Sequence, residues 1–368
     1  MMIKVSSSSK VILFGEHSVV YGYEAIVSPI SLKTYGCINT TDKYDNLNNK
    51  KNNNKNINNK TNFNNNKKNF NDFNNYFNNS FNNSNNNKIL LNLININKKI
   101  EISNTIEDIL SIDSNNYDVD CRYSVVAIKN TLKYLLNKNI IDKDSLKPFE
   151  MTIYSGIPVS CGLGSSASVS STIIKGFLKA NSISLPIEDI IKITYSTEKE
   201  VQGRGSITDS ASVNLNRMLR IKDGKYAIFN NKKIIDILKS CKLLVVYVEK
   251  RLKKTKDILE NVSKNPKKDE IFKSINGIID ELEDIESPKD IGNLMVQNHQ
   301  LLKDLGVSTE KLDKVVEIGK KYAYGGKLSG AGGGGIVIIL CDNENIPTLK
   351  DKLNNFDVIN YWECDFLI

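Results

Sequence analysis

The sequence predicts a protein that mixes helices with strands and is built from two domains. A chain of 368 residues is long for one domain and usual for two, and its 40% hydrophobic content can form a core in each. Two short apolar segments, KLLVVYVE at 242–249 and GIVIILC at 335–341, predict buried strands. Between them, residues 269–285 and 293–306 carry apolar side chains at helical spacing, which predicts two helices. His299 lies on the second of these and is predicted to be structural.

Two further strands are predicted near the N-terminus. Residues 10–16, KVILFGE, are short, apolar and β-branched, and residues 25–41 return through a proline that an edge strand tolerates. The turn between them holds Glu16 and His17 beside two glycines. A Glu-His pair after a buried strand is consistent with the rim of a small-molecule site. The same sequence is equally consistent with an ordinary hairpin loop.

The composition limits the cellular compartments and the cysteine chemistry that are consistent with the sequence. The sequence has no run of 18 apolar residues, no apolar signal segment at its start and no peroxisomal tripeptide at its end. Its six cysteines are scattered without C-x-x-C pairs, which argues against a disulfide framework and a zinc site. We therefore expect a cytoplasmic protein with reduced thiols and no membrane span.

The net charge of +8 is concentrated in one asparagine-rich segment, residues 48–99. This segment holds nine lysines, one acidic residue and 26 asparagines among 52 residues, so the rest of the chain is close to neutral. Such a polar tract buries too little apolar surface to offset the entropy of ordering. The composition predicts a disordered surface insertion and no nucleic-acid partner, and its flanks, CINTTDKY at 37–44 and ILLNLINI at 89–96, resemble strand segments. A basic arm for RNA or self-association through asparagine is the alternative.

A glycine-rich turn running into serines, IPVSCGLGSSASVSS at 157–171, admits three interpretations. A nucleotide P-loop needs a lysine where Ser165 stands. A dinucleotide-binding turn fits Gly162, Gly164 and Ala167, but a second helix follows where that unit needs a strand. The third is anion binding by backbone N–H groups at the start of a helix over 165–180. A tight turn with serine caps and no ligand remains as the alternative.

A second helix is predicted after residue 186, and it places a carboxylate on its apolar face. The apolar stripe consists of Ile187, Ile190, Ile191, Thr194 and Tyr195. Continued by one turn, the stripe reaches Glu198, and Asp209 follows in a loop of small residues. Two acids near a hydroxyl-rich loop indicate one for Mg²⁺ and one for an acceptor hydroxyl. An exposed Glu at a helix end and an Asp in a turn are the alternative.

A second glycine-rich segment, GGKLSGAGGGG at 325–335, precedes the strand predicted at 335–341. Glycines allow backbone N–H groups to close onto phosphate oxygens. Four consecutive glycines are costly to order, so the segment indicates a binding loop more than a simple turn.

In this order, the segments resemble the GHMP small-molecule kinases. The three family motifs correspond to SSSSKVILFGEHSVVYG at 6–22, IPVSCGLGSSAS at 157–168 and KLSGAGGGG at 327–335. The resemblance implies an α+β, two-domain GHMP kinase fold with the active site in the interdomain cleft. It assigns residues 1–225, with the insertion at 48–99, to the N-terminal domain and residues 226–368 to the C-terminal domain.

The resemblance also implies an activity, the transfer of a phosphoryl group from ATP to a small alcohol with Mg²⁺ as cofactor. Galactokinases usually carry Arg-x-Asn ahead of Gly-Glu-His, where this chain has Lys10, and homoserine kinases lack the Glu-His pair. These differences favour mevalonate as the acceptor. Phosphomevalonate or another alcohol, and a ligand sensor without turnover, are the alternatives. Assembly into a homodimer is left open.

The resemblance further implies roles for individual residues. Asp209 and Lys10 would be catalytic, with Asp209 beside the acceptor hydroxyl and Lys10 paired with it. Glu16, His17 and Thr255 would bind the acceptor, and Ser166 and Glu198 would bind the metal ion. ATP would be held by two groups of residues, Gly162, Leu163, Gly164, Ser165, Ser166 and Ala167 in the first loop and Gly330, Ala331 and Gly332 in the second.

Overall fold

The computed structural model describes residues 2–40, 88–141, 146–252 and 255–368. The strands are β1 (Met2–Phe14), β2 (Ala25–Thr40), β3 (Lys88–Leu93), β4 (Lys98–Ser103), β5 (Phe149–Ser155), β6 (Leu219–Lys222), β7 (Lys225–Ile228), β8 (Lys242–Glu249), β9 (Gly325–Ser329), β10 (Gly335–Cys341) and β11 (Asn360–Cys364). The helices are α1 (Ile106–Leu110), α2 (Arg122–Asn137), α3 (Ser165–Ala180), α4 (Ile187–Gln202), α5 (Ile207–Leu215), α6 (Lys232–Lys239), α7 (Thr255–Ser263), α8 (Lys268–Glu281), α9 (Pro288–Asp304), α10 (Glu310–Tyr322) and α11 (Asn345–Asn354).

The chain divides into two compact units, each built from separate stretches of sequence. The first unit consists of residues 1–6, 35–155 and 169–204, and the second of residues 7–34, 156–168 and 205–368. These units do not coincide with the predicted domains 1–225 and 226–368, because β1, β2 and α3 each contribute residues to both. The domain boundary at residue 225 stays a prediction.

In the first unit, β4, β3, β5 and the second half of β2 lie side by side in that order. Strand β3 pairs antiparallel with β4 and parallel with β5. Helices α2 and α4 pack against each other, and the core includes Ile89, Ile128 and Phe177. The Phe177 ring meets the Phe149 ring edge-on, with their centroids 6.0 Å apart.

This arrangement corrects the predicted end of the asparagine-rich insertion. Residues 48–87 lie outside the described residues, but Lys88–Leu93 form β3 and Lys98 begins β4. Ile89 and Leu91 are fully buried in the core that includes Ile128 and Phe177, and β3 has a hydrogen-bonded strand on each side. The placement of residues 88–99 in the insertion was therefore wrong.

The second unit has a sheet in the order β11-β8-β10-β9, and the first half of β2 pairs with β6, which pairs with β7. Alternate residues of β10 enter two different cores: Ile336 and Ile338 contribute to one, and Val337 and Ile339 to the other. Because side chains alternate across a strand, a sheet covered on both faces needs a continuous apolar run. This requirement explains the sequence GIVIILC.

Most predicted elements are confirmed, and one strand is longer than expected. Helix α3 covers the predicted range 165–180, and Ile190, Ile191, Thr194 and Glu198 on α4 are buried. Strand β1 begins at Met2, well before Lys10, where the strand was expected to start. The prediction missed this part because residues 6–9 are serines, although Ser7, Ser8 and Ser9 are all buried.

All six cysteines lie in the described part of the chain, where they are buried and unpaired, as the sequence predicted. Among the described residues, no helix combines the length and the hydropathy needed to cross a bilayer.

Candidate active site

The predicted catalytic pair is formed in the second unit. Lys10 Nζ lies 3.0 Å from Asp209 Oδ1, and the Lys10 side chain is only 5% exposed, against 24% for Asp209. Asp209 was expected in a loop of small residues, but it lies in the first turn of α5, because Ser206 caps a helix that begins at Ile207. The Asp209 backbone N–H donates to the side chain of Ser206 at 3.2 Å. The helix cap therefore fixes the backbone that carries the carboxylate.

The first glycine loop lies directly against Lys10. The Lys10 backbone N–H donates to the Leu163 carbonyl oxygen at 3.1 Å. Gly164 has φ +72°, and a Cβ on it would lie 3.3 Å from Lys10 Cγ, so a side chain here would be strained and crowded. Helix α3 begins at Ser165, and the Ser168 N–H donates to the Gly164 carbonyl at 2.9 Å. The loop thus ends at a helix N-terminus, the element that favours anions.

The second glycine loop, residues 330–335, faces the first. Its glycines at 330, 332, 333, 334 and 335 all have positive φ. A Cβ placed on Gly330 would lie 3.5 Å from Gly162 Cα, so the two loops are close together, and the positive φ of both glycines would strain any side chain there. Successive glycines with positive φ can turn backbone N–H groups toward a common anion.

The Glu16–His17 turn has an unusual backbone. His17 has φ 63° and ψ −48°, and the Ser18 N–H donates to the Glu16 carbonyl oxygen at 2.7 Å. This is a γ-turn of the rare, strained kind, which persists only when surrounding contacts hold it.

Two side-chain contacts hold the turn. His17 Nε2 lies 3.0 Å from the carbonyl oxygen of Ala331, in the second glycine loop. Burial lowers the pKa of His17 to about 4, so the ring is neutral at pH 7 and Nε2–H is the donor. Its Nδ1 is buried and has no hydrogen-bond partner among the described residues. Glu16 forms an ion pair with Lys327 of β9, in which both side chains are buried.

Arg251 is a site residue that the sequence analysis missed. Its Nη1 is 3.4 Å from Thr255 Oγ1, while Nε and Nη2 are buried and make no hydrogen bond within the described part of the chain. A Cβ on Gly162 would lie 3.5 Å from Nη2, and one on Gly335 would lie 3.4 Å from it. Burial lowers the pKa of Arg251, but a guanidinium stays charged, so two N–H groups here are available to an anion.

For three predicted site residues, Thr255, Ser166 and Glu198, the structure gives a position but does not test the predicted role. Thr255 is the first residue of α7 and is half-buried, and its hydroxyl contacts Arg251. Ser166 is half-buried in the first turn of α3, and Glu198 is a buried residue of α4 in the first unit. The roles assigned to these three residues stay predictions.

Lys327 was also missed, although a signal was present in the sequence. A lysine stands between glycines and a strand in GGKLSG, and a charged residue in a buried strand needs a counter-charge. The sequence signal for Arg251 was weaker, because it consisted only of a cation just after the buried strand β8.

Comparison with known proteins places this geometry in a family. Residues 125–216 match the GHMP kinases N terminal domain, and residues 278–358 match the GHMP kinases C terminal domain. The chain belongs to the GHMP kinase family, as the glycine loops and the Lys10 motif indicated. The predicted α+β, two-domain GHMP kinase fold is confirmed, and membership implies ATP-dependent phosphoryl transfer.

Within this family, the similar proteins include mevalonate kinases. The mevalonate kinase of Methanocaldococcus jannaschii is 39% identical over 354 residues, which cover 96% of each chain. The mevalonate kinase of Pyrococcus horikoshii is 29% identical, covering 92% of this chain and 88% of its own. The crystal structure of the Methanococcus jannaschii mevalonate kinase matches with a TM-score of 0.82 at 37% identity, covering 100% of this chain and 98% of that one.

Proposed function

We propose that the protein transfers the terminal phosphoryl group of ATP to the 5-hydroxyl of mevalonate. The observation that carries the proposal is the Lys10–Asp209 pair, set against the glycine loop at the start of α3. The similarity to named mevalonate kinases along nearly the whole chain supports this choice of acceptor.

The phosphates of ATP would be bound by backbone N–H groups of the first loop, Gly162 to Ala167, and of the second, Gly330 to Gly332. The N-terminus of α3 favours negative charge, and the closely approaching loops leave their backbone uncovered by side chains. Arg251, with two N–H groups unpartnered in the described structure, adds a fixed positive charge beside both loops.

In the transfer step, the acceptor oxygen forms a bond to the γ-phosphorus while the bond from that phosphorus to the β–γ bridging oxygen breaks. The hydroxyl proton passes to the Asp209 carboxylate, and ADP leaves. Lys10, 3.0 Å from that carboxylate, eases ionisation of the hydroxyl and offsets the growing negative charge. Since the transition state of phosphoryl transfer is loose, positioning and charge stabilisation account for most of the catalysis.

The acceptor would lie against the Glu16–His17 turn and Thr255. The turn is fixed by the contacts of Glu16 with Lys327 and of His17 with Ala331, so its polar atoms are held in place before the acceptor binds. A rigid, partly unsatisfied polar surface discriminates strongly for an acceptor that supplies the missing hydrogen bonds.

Mg²⁺ would be bound by the hydroxyl of Ser166 and the carboxylate of Glu198. Hard oxygen donors of these two kinds fit Mg²⁺, which usually keeps waters and phosphate oxygens among its ligands. No cluster of three or more His, Cys, Asp or Glu suited to a metal occurs among the described residues. When bound, the ion would neutralise charge on the phosphates.

The proposal is tested by measuring ADP release from purified protein with ATP, Mg²⁺ and one alcohol at a time. With mevalonate, kcat/KM is expected to exceed that with phosphomevalonate, galactose or homoserine by at least about 100-fold. A preference for one of the other alcohols would overturn the choice of acceptor.

A further inference from the structure

A lysine lies at the centre of the buried strand β9. The Lys327 side chain is 0% exposed and that of its partner Glu16 is 1% exposed. Lys327 Nζ donates to the Glu16 carboxylate and, at 2.8 Å, to the carbonyl oxygen of Leu328. Burial raises the pKa of Glu16 and lowers that of Lys327, and the charge of each partner opposes the shift of the other. Each group therefore depends on the other for its charge.

The ion pair is incompletely satisfied on the side of Glu16. Its Oε2 atom is buried and has no hydrogen-bond partner in the described part of the chain. Replacing a buried ion pair with apolar side chains is often neutral or stabilising, so stability alone does not account for this pair. An unsatisfied buried carboxylate oxygen calls for an explanation, and a role in function is one.

Strand β9 and the glycine loop that follows it support the Glu16–His17 turn through one contact each. Lys327 binds Glu16, and the carbonyl oxygen of Ala331 accepts from His17. Between them, Ser329 Oγ accepts from the Ile12 N–H and donates to the Ile12 carbonyl oxygen, both at 3.0 Å. The strained turn thus has a partner for each of its two side chains.

Helix α9 also holds strand β9 in place, through His299. His299 of α9 accepts from the Leu328 N–H through Nδ1 at 3.2 Å, and its Nε2 lies 3.1 Å from Asp313 Oδ1 on α10. Because the backbone next to Lys327 is fixed in this way, the position of its ammonium group is set by the fold and not by Glu16 alone.

We propose that Lys327 is a positioning residue for the acceptor, which fixes the Glu16 carboxylate and the turn that carries it while touching neither substrate. This inference rests on the proposed function, which assigns Glu16 and His17 to the acceptor. Since the partner of Lys327 lies on the acceptor side, its loss should weaken acceptor binding more than ATP binding.

The test compares Michaelis constants in Lys327→Met, a variant that keeps the length of the side chain and removes its charge. The acceptor KM is expected to rise at least about tenfold, while the KM for ATP changes by less than about threefold. Lys289→Met is the control, because it makes the same substitution at an exposed lysine of α9, whose Nζ donates to the Tyr324 carbonyl oxygen at 3.1 Å. Both of its Michaelis constants are expected to stay within about threefold of wild type. A folded Lys327→Met protein with an unchanged acceptor KM would overturn the proposal.

A second comparison covers the case in which Lys327→Met does not fold. The double variant Glu16→Gln/Lys327→Met buries no charge at this position and is compared with Glu16→Gln alone. If Lys327 acts only through Glu16, adding its substitution changes the acceptor KM by less than about threefold. A further large increase would contradict the proposal. If the wild-type protein phosphorylates another alcohol and not mevalonate, only the proposed function is contradicted. The variants are then compared with that alcohol as the acceptor.

Discussion

Lys10 Nζ and Asp209 Oδ1 are 3.0 Å apart, in an ion pair that joins strand β1 to the first turn of helix α5. The lysine is almost completely buried and the aspartate is about one quarter exposed, so the open side of the pair is the carboxylate. A cation held under an accessible carboxylate suits the removal of a proton from a hydroxyl and the stabilisation of the resulting charge.

Replacing Asp209 with asparagine should lower kcat by about 10²- to 10⁴-fold, the usual contribution of a general base, while ATP binding is retained. Steady-state kinetics and titration with ATP measure the two effects. Asp236→Asn, at an exposed position of α6, is the matched control and should leave kcat unchanged. Near-normal turnover by the Asp209 variant would show that Asp209 is not the base.

Gly164→Ala should lower turnover by a local effect on Lys10. An alanine with positive φ costs about 1–2 kcal/mol of stability, and its Cβ would also press on the lysine side chain. Gly224→Ala is matched in backbone, with φ +67°, but a Cβ there has nothing within 4 Å. Both variants should lose similar stability in urea titrations, and only Gly164→Ala should lose about tenfold or more in kcat. Equal kcat in the two would contradict the proposed contact.

Stability should depend on pH through His17. Its pKa is about 4 in the folded protein against 6.5 in the unfolded chain, so the folded state binds fewer protons between these values. The stability this residue contributes is fully present above pH 6.5 and is lost as pH falls toward 4. Between pH 7 and pH 4.5, wild type should lose about 2–3 kcal/mol more unfolding free energy than His17→Asn. Equal losses would show that His17 is not buried in the neutral form.

The proposed metal ligands predict a change in metal dependence. Ser166→Ala and Glu198→Gln should each raise the Mg²⁺ concentration needed for half-maximal turnover, by about threefold to tenfold, with partial recovery at high Mg²⁺. The measurement is an Mg²⁺ titration at a fixed concentration of ATP. An unchanged half-maximal concentration in both variants would argue against metal binding by these residues.

The corrected boundary of the asparagine-rich segment predicts different results for two deletions. Replacing residues 48–87 with a short Gly-Ser linker keeps every described contact, and kcat and both Michaelis constants should stay within about threefold of wild type. Replacing residues 48–99 also removes β3, with its buried Ile89, Leu90 and Leu91. Losing each such side chain costs about 2–5 kcal/mol, so this variant should not fold. Thermal unfolding followed by circular dichroism distinguishes the two, and a stable second variant would show that β3 is dispensable.

Local patterns predicted some of the helices and strands that carry the site, but not α5, because Asp209 was expected in a loop of small residues, and not β9, which carries Lys327. The apolar stripe of α4 correctly placed Glu198 on a buried face, and the glycine loop correctly located the start of α3 at Ser165. The serines of β1 carried no apolar signal, so the first half of that strand was missed.

The contacts within the site depend on partners that are far apart in the sequence. The Lys10–Asp209 pair was inferred from family resemblance, and the structure shows it. Glu16 and Lys327 are separated by 311 positions, and no spacing rule connects them. Arg251 had only a weak local signal, because its position in the site depends on its closeness to two glycine loops that only the folded chain brings together.

The chemical identity of the product decides whether the protein transfers phosphate to the 5-hydroxyl of mevalonate. Purified protein is incubated with ATP, Mg²⁺ and mevalonate, and the product is examined by phosphorus and carbon NMR. We expect one new phosphomonoester, coupled to the C5 methylene of mevalonate, formed in equal amount with ADP, and strongly reduced in Asp209→Asn. ADP release without phosphorylated mevalonate, or phosphate attached at another position, would contradict the proposed transfer.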